Sequence, residues 1–353
     1  MGPTGDAVNV IQIHPTLRCN LRCEHCYSTS GPEHRRELAV ETIEEFLTEA
    51  TQEGYNAIGL SGGEPLTYKP LARLLQTARA LGYYTTVTSN GLLLDARRLA
   101  AIAPHLSLLA LSLDGVPESH NRVRGQPRAF EQMRAKLDSV RAAGLPFGFI
   151  FTLTLTNLPE LAWVAEFAAA EGANLLQIHP LEQVGRARDY ELLPPDDLEL
   201  SYAFLEVARL QARYRDRLTL QFDVADRNVI AREPQRAFAG EPPSADAVQA
   251  SRLAALVSPL VLQDDGYIVP VQYGFSTDYA IAQLERGAFR AQAARWKRQS
   301  ASHFFRLARD TWDELSGAPA HLPFTNWYAA ITTASKVRQH AARPRIPATV
   351  SMV

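Results

Sequence analysis

The chain has 353 residues, room for two domains or one large α/β domain with an appendage at roughly 100–200 residues per domain. Lys and Arg total 36 against 38 Asp and Glu, a formal charge of −2, so no cationic excess advertises nucleic acid as a partner. Hydrophobic residues at 46% and charged ones at 21% exclude a disordered or collagen-like chain, and no apolar run reaches the roughly 20 residues of a membrane span.

The N-terminus from Met1 to Val8 lacks the basic and apolar stretches of an export signal, and Asp6 stands where myristoylation wants Ser or Thr. The expectation is a cytoplasmic protein. From Val8 onward, β-like runs alternate with amphipathic helical ones. In chain order the pattern predicts strand Val8–His14, helix Val40–Gln52, strand Asn56–Ser61, helix Leu71–Leu81, strand Tyr83–Asn90 and helix Asp95–Ala103. Strand Ser107–Asp114, helix Ala129–Ala143, strand Phe147–Thr156, helix Leu158–Glu171, strand Asn174–Leu181 and helix Leu198–Tyr214 follow. Phe130, Met133, Leu137 and Val140 make a helical stripe that Gly144 ends, and Gly54, Gly82 and Gly172 close other helices.

Six βα units joined by right-handed crossovers give an open doubly wound sheet or a partial barrel. Alternation along the strands puts Gln12 and His14, then Thr86, Thr88 and Asn90, then Ser112 and Asp114, then Thr152 and Thr154, then Gln177 and His179 on one face. The polar groups gather toward the C-terminal strand ends, where sites of α/β barrels and open sheets lie.

After about residue 223 the alternation stops. Arg232–Arg252, rich in Pro, Ala, Gly and charge, reads as a linker or mobile crossover. Leu260–Gln263 and Tyr267–Val271 flank Asp264-Asp265-Gly266 as a hairpin, and helices are expected over Ala288–Leu315 and Trp327–Ala341.

The chain's three cysteines all lie in Cys19-Asn-Leu-Arg-Cys23-Glu-His-Cys26, directly after the first strand. Three thiolates on so short a loop can converge on a soft metal centre. A [4Fe–4S] cluster would keep one iron without a protein ligand, open to substrate or cofactor. Zinc would take a fourth ligand such as His25 or His14, and plain redox or core thiols are the remaining reading. A disulfide would strand the third thiol and is disfavoured in a reducing compartment.

Four motifs fall in order at successive strand ends: the C-x3-C-x2-C loop, Ser61-Gly62-Gly63-Glu64-Pro65, Ser89-Asn90-Gly91 and Ser112-Leu113-Asp114-Gly115. Together they resemble the radical S-adenosylmethionine (SAM) superfamily over residues 8–185. The resemblance implies a partial (β/α)6 barrel, one [4Fe–4S] cluster on Cys19, Cys23 and Cys26, and SAM chelating the open iron. Reduction would then cleave SAM to methionine and a 5′-deoxyadenosyl radical that takes hydrogen from a substrate, with an external one-electron donor of flavodoxin or ferredoxin type.

By the same resemblance Gly62 and Gly63 bring backbone close to a ligand, and Glu64 accepts hydrogen bonds from the SAM ammonium. Ser112 and Asp114 face the lumen, Ser112 toward the SAM carboxylate or ribose. Asn90, Thr152 and Thr154 are ribose or carboxylate candidates, while Gln177, His179 and His25 are placed near adenine. His120-Asn-Arg-Val-Arg124-Gly125 resembles a stretch of peptide-modifying members, with Arg124 a carboxylate partner of SAM or substrate.

Gly185-Arg186-Ala187 and Asp265–Gly274 are similar to the approach to a C-terminal SPASM or twitch domain, whose cysteines hold auxiliary clusters. Here Val271 stands where a cysteine is expected and no cysteine follows Cys26, so an auxiliary cluster on cysteines is not expected. The division read from sequence is a radical SAM barrel over 1–223, a linker or crossover over 224–256, and a smaller α+β, degenerate SPASM-like domain over 257–353 that closes the barrel mouth. The expected substrate is a ribosomally made peptide, crosslinked or similarly matured, with any leader-peptide reader on a separate chain. A small molecule (sugar, nucleoside or amino acid) is the alternative, and a noncatalytic metal or redox sensor the reading from another class.

Overall fold

The computed structural model describes residues 8–190, 192–317 and 322–337. Seven parallel strands, each hydrogen-bonded to the next, carry the first part of the chain: β1 Val10–Ile13, β2 Ala57–Leu60, β3 Tyr84–Ser89, β4 Leu108–Ser112, β5 Phe147–Leu153, β6 Leu175–Pro180 and β7 Thr219–Phe222. Between them lie α1 Val40–Gln52, α2 Leu71–Ala80, α3 Ala96–Ile102, α4 Pro117–Arg124, α5 Ala129–Arg134, α6 Leu137–Ala142, α7 Leu161–Ala170 and α8 Asp197–Tyr214. The sheet is a partial barrel with helices outside, the arrangement that the family resemblance implies of the two left open by the alternation of strand and helix.

The elements start where local chemistry dictates. Asp95 caps α3 through the Arg98 amide, and Asp196 with Glu199 forms a reciprocal capping box on α8. The expected helix over Ala129–Ala143 is broken at Ala135–Lys136 into two short ones that still share the apolar stripe Phe130, Met133, Leu137 and Val140, all buried. Phe147, Phe149, Phe151 and Leu153 of β5 point into the layer between sheet and helices, which is the main core.

The register sets the other face. Gln12 pairs with Gly59 and Gly59 with Thr86; Thr88 pairs with Ala110, Ala110 with Gly148; Ser112 pairs with Ile150, Ile150 with Gln177, Gln177 with Gln221; Thr152 pairs with His179. Residues in register on parallel neighbours share a face, so these positions line the lumen in staggered layers. The polar face read from the strand alternation is this one.

Three features were not legible, the first being the short helix α4, which no expected element covers. β7 adds a seventh parallel strand beyond the six expected. The stretch expected as a linker is instead a packed run: β8 Ala225–Asp226, α9 Arg227–Arg232, α10 Ala245–Ala250 and α11 Leu253–Leu256, with Ile230, Val248, Leu253 and Leu256 buried. Its apolar residues are too sparse to show a helical period, yet they are buried, and the Glu53 carboxylate accepts from the Leu253 amide at 2.8 Å.

The hairpin falls where expected, as β9 Leu260–Leu262 and β10 Tyr267–Pro270, antiparallel. It does not stand apart from the barrel. β9 pairs parallel with β1, so the sheet runs in the order β11-β10-β9-β1-β2-β3-β4-β5-β6-β7, with β11 at Ala282–Gln283. Helices α12 Phe289–Gln299 and α13 Ala301–Ser316, separated at Ser300, pack beyond it. β12 Phe324–Thr325 pairs with β8 and precedes α14 Trp327–Val337, and the expected continuation of α14 to Ala341 lies outside the described residues.

Candidate active site

The cysteine loop leaves β1 at its C-terminal end and is held on three sides by backbone. On the first side, Gly63 donates its amide to the Thr16 carbonyl at 2.8 Å and Glu64 donates to Arg18 at 2.9 Å, zipping the loop after β2 onto the residues that lead into Cys19. A Cβ on Gly63 would sit 2.1 Å from the Arg18 carbonyl oxygen; one on Gly62, whose φ is +110°, would sit 2.6 Å from that of Thr16. Close approach is what the two glycines provide, and the partner seen is the cysteine loop's own backbone.

From a second side, the segment after β6 clasps the same loop. Arg186 donates its backbone amide to the Cys26 carbonyl at 2.9 Å and its guanidinium to the carbonyls of Cys23 and Ser30 at 2.8 and 2.6 Å. Gly185, at φ +59°, has no room for a Cβ, which would lie 2.2 Å from the Tyr27 carbonyl oxygen. Arg186 was given no role by sequence; its signal was a Gly-Arg pair immediately past the sixth strand. On the third side, Glu24 donates its amide to Val123 of α4 at 2.9 Å.

All three thiols are free, and each has an N–H donor at its sulfur. The Leu21 amide lies 3.5 Å from Cys19 Sγ, the Ser30 amide 3.3 Å from Cys26 Sγ and Arg124 Nη1 3.7 Å from Cys23 Sγ. Burial pushes the Cys19 thiol up to about 12, against the Leu21 amide, and raises Cys23 despite Arg124. Donors aimed at sulfur suit bound thiolates, so the donor set fits the cluster that the spacing suggests. Neither histidine offered as a zinc ligand is turned to the thiols: His25 Nε2 is 3.4 Å from Asp114 Oδ1, and His14 stacks on Tyr273 at 4.6 Å between ring centroids. Both ring nitrogens of His14 are buried without a hydrogen-bond partner, and burial lowers its pKa to about 3.

Glu64 is wholly buried and receives three donors: the Leu66 amide at 3.1 Å, the Ser89 hydroxyl at 2.8 Å and the Asn90 amide at 2.8 Å. It ties the loop after β2 to the end of β3. Burial raises its pKa even against these bonds. Asn90 in turn donates to Asn20 Oδ1 at 2.9 Å, inside the cysteine loop.

Ser112 and Asp114 end β4 in the lumen, both buried. Arg124, from α4, donates Nε to Asp114 Oδ2 at 2.6 Å, and His120 Nδ1 accepts from the Asp114 amide at 3.1 Å. Desolvation opposes the Asp114 carboxylate's charge, but the Arg124 guanidinium and His25 hold its pKa far below the usual range. Thr152 donates its amide toward Asp114 at 3.5 Å. Thr154 is taken up in the turn after β5, where its amide donates to Asn157 Oδ1 at 2.7 Å and its hydroxyl accepts from the Asn157 amide.

Gln177 and His179 lie across the lumen, with carboxylates the sequence reading missed. Gln177 Nε2 donates to Asp223 Oδ2 at 2.6 Å; His179 is held between Asp223 at 3.3 Å and Glu182 at 3.4 Å, and Glu182 accepts from Gln272 at 2.9 Å. Lone acidic residues after β6 and β7 carry no sequence signal until β7 is recognised. Burial opposes the charged imidazole, but the two carboxylates outweigh it and raise the His179 pKa to about 10. A raised folded-state pKa gives stability that is full below the unfolded value of about 6.5 and disappears as pH rises through about 10. The expected result is a melting temperature that falls from pH 6.5 to 10, with His179→Gln flattening that part of the profile in thermal unfolding followed by circular dichroism.

The family model described as the Radical SAM superfamily matches residues 13–168, which hold the cysteine loop, Gly62-Gly63-Glu64, Asn90, Ser112, Asp114 and Arg124. Those residues belong to the radical SAM superfamily. Among curated relatives, the AdoMet-dependent heme synthase of Methanosarcina barkeri is 30% identical over 197 residues, 55% of this chain and 56% of that protein. The PqqA peptide cyclase of Ruegeria pomeroyi is 31% identical over 229 residues, 64% of this chain and 61% of that one. The chain therefore spans about half the length of the curated relatives it matches. The crystal structure of Streptococcus suis SuiB bound to precursor peptide SuiA aligns with a TM-score of 0.62 at 14% identity, over 92% of this chain and 70% of that one. Native anSMEcpe with bound AdoMet and the Kp18Cys peptide aligns at 0.60 with 16% identity, over 85% and 83%. These two likenesses show that the radical SAM domain and the C-terminal part of the chain share a fold with SuiB and anSMEcpe. No helix among the described residues is long and apolar enough to cross a membrane.

Proposed function

We propose that the chain is a radical SAM enzyme that modifies a peptide. The observation that carries this is the cysteine loop, fixed at the mouth of a parallel barrel by Gly62, Gly63, Gly185 and Arg186, with an N–H donor at every sulfur. Cys19, Cys23 and Cys26 would hold a [4Fe–4S] cluster. When bound and reduced, that group supplies the electron for SAM cleavage to methionine and a 5′-deoxyadenosyl radical, which abstracts substrate hydrogen.

The remaining residues bind and orient. Ser112 and Asn90, at adjoining strand ends, would hold SAM, with Thr152, Gln177 and His179 on the facing wall. Glu64 ties the loop after β2 to the end of β3 beneath it. The hairpin β9–β10 and the residues after it close the mouth with Tyr273, stacked on His14, and Gln272, which donates to Glu182. An external flavodoxin or ferredoxin-type protein supplies the electron.

The peptide reading draws support from the PqqA peptide cyclase among the relatives and from the peptide-bound SuiB and anSMEcpe among the structures. The heme synthase likeness favours a second reading, a small molecule. The test is anaerobic reconstitution with iron and sulfide, then SAM and dithionite with chromatography of 5′-deoxyadenosine. Formation is expected; a fully cluster-loaded protein that leaves SAM intact overturns the enzyme reading. Co-expression with short peptide genes beside its own, followed by mass spectrometry, separates the substrates: a peptide lighter by two hydrogens supports crosslinking, and unmodified peptides from every such gene favour the small molecule.

A further inference from the structure

The sequence resemblance placed Arg124 against a carboxylate of SAM or substrate. In the structure that carboxylate is already supplied from within. Arg124 is 9% exposed, its Nε bonded to Asp114 at 2.6 Å, and its other arm, Nη1, ends 3.7 Å from Cys23 Sγ. Asp114 is 1% exposed and fixed further by His25 Nε2 at 3.4 Å and by Asn157, whose side-chain Nδ2 donates to the Asp114 backbone carbonyl at 3.1 Å. α4 begins with Pro117 and brings Arg124 back toward the cysteine loop in its last turn, where Glu24 also joins Val123.

A fixed charge pair so near one thiolate acts on whatever that thiolate binds. A guanidinium at the sulfur favours the more negative, reduced state of a cluster, through its charge and its N–H···S bond; a carboxylate one position farther out disfavours it. The interior's low effective dielectric lets both effects reach the cluster with little screening.

We propose that Arg124 and Asp114 form a charge pair that sets the reduction potential of the cluster held by Cys19, Cys23 and Cys26, Arg124 raising it and Asp114 lowering it. The inference rests on the cluster reading above and is independent of the substrate. It makes Arg124 and Asp114 positioning and tuning residues, and their effects on potential carry opposite signs, which loss of packing does not produce.

The experiment is a redox titration of the reconstituted, SAM-free [4Fe–4S] protein, followed by electron paramagnetic resonance. With Arg124→Gln, the reduced-to-oxidised ratio at the wild-type midpoint is expected to fall about tenfold, equivalent to about 59 mV for one electron. With Asp114→Asn it is expected to rise, and with Arg124→Lys, which keeps the charge, to stay near wild type. Unchanged potentials in both single variants, or shifts of the same sign, overturn the proposal. So does an Arg124→Gln variant that affects only SAM affinity, as a partner of the SAM carboxylate would. If Arg124→Gln fails to fold, Asp114→Asn decides alone, since an unmoved or lowered potential there is enough to overturn it. A wild-type protein that folds but takes up no [4Fe–4S] cluster overturns the cluster reading itself and this inference with it.

Discussion

Cys23→Ala is expected to assemble no [4Fe–4S] cluster and to form no 5′-deoxyadenosine from SAM and dithionite, a complete loss, while the protein stays folded. The two halves of that expectation come from different atoms. The thiol is the part that would ligate iron, and two remaining thiolates cannot hold three corners of a cube. The backbone of residue 23 is fixed independently, through its carbonyl to the Arg186 guanidinium at 2.8 Å and through the neighbouring Glu24 amide to Val123 at 2.9 Å. Losing one small buried side chain costs about 1 kcal/mol. Iron and sulfide content, visible absorbance and urea unfolding of the variant measure both halves. A variant that still cleaves SAM would remove Cys23 from the cluster and with it the proposed site.

Gly63→Ala is expected to have the opposite profile, with every thiol present and the site lost. Its Cβ would fall 2.1 Å from the Arg18 carbonyl oxygen and 2.7 Å from the Leu17 carbonyl carbon, both backbone, so no side chain can swing aside to make room. The strand of hydrogen bonds from Gly63 and Glu64 to Thr16 and Arg18 must open, and Cys19 moves with it. Destabilisation on the order of 3 kcal/mol is expected in urea unfolding, and iron loading should fall to background. Gly317→Ala is the control. Its φ is −74° and nothing lies within 4 Å of the added carbon, so it should stay within about 0.5 kcal/mol of wild type. A Gly63→Ala protein that loads iron normally would show that the loop after β2 does not set the cysteine geometry.

The parts of the molecule that repeat were legible in the sequence, because parallel strands and their helices impose a period on the residues. α1 spans Val40–Gln52 as expected, and the other expected barrel elements agree to within a few residues at their ends apart from the helix broken at Ala135–Lys136, while α4 and β7 were not expected. The cysteine loop and the glycines were legible as well, since a turn-forming or ligating residue type at fixed spacing is a local signal. What stayed hidden is what depends on distant pairs. Arg124 reads on its own as a surface arginine, and only the fold brings Asp114 and Cys23 to its two arms. Asp223 and Glu182 mean nothing until β7 sets one of them beside His179. The stretch before β9 looks like a linker by composition, yet Leu253 and Leu256 are buried and the Leu253 amide bonds to Glu53, 200 residues away in sequence.

The parallel pairing of β9 with β1 has a consequence for how the molecule comes into being. β1 finds β2 as soon as about 60 residues exist, but its other edge, where the His14 amide meets the Leu262 carbonyl at 2.9 Å, stays bare until some 200 further residues have been made. At 5–20 residues per second, that is roughly 10–40 s during which the strand leading into the cysteines is fixed on one side only. Long-range parallel pairs are also slow to form once the chain is complete. Any metal taken up by that loop before translation has passed Leu262 would therefore meet a leading strand paired on one edge only.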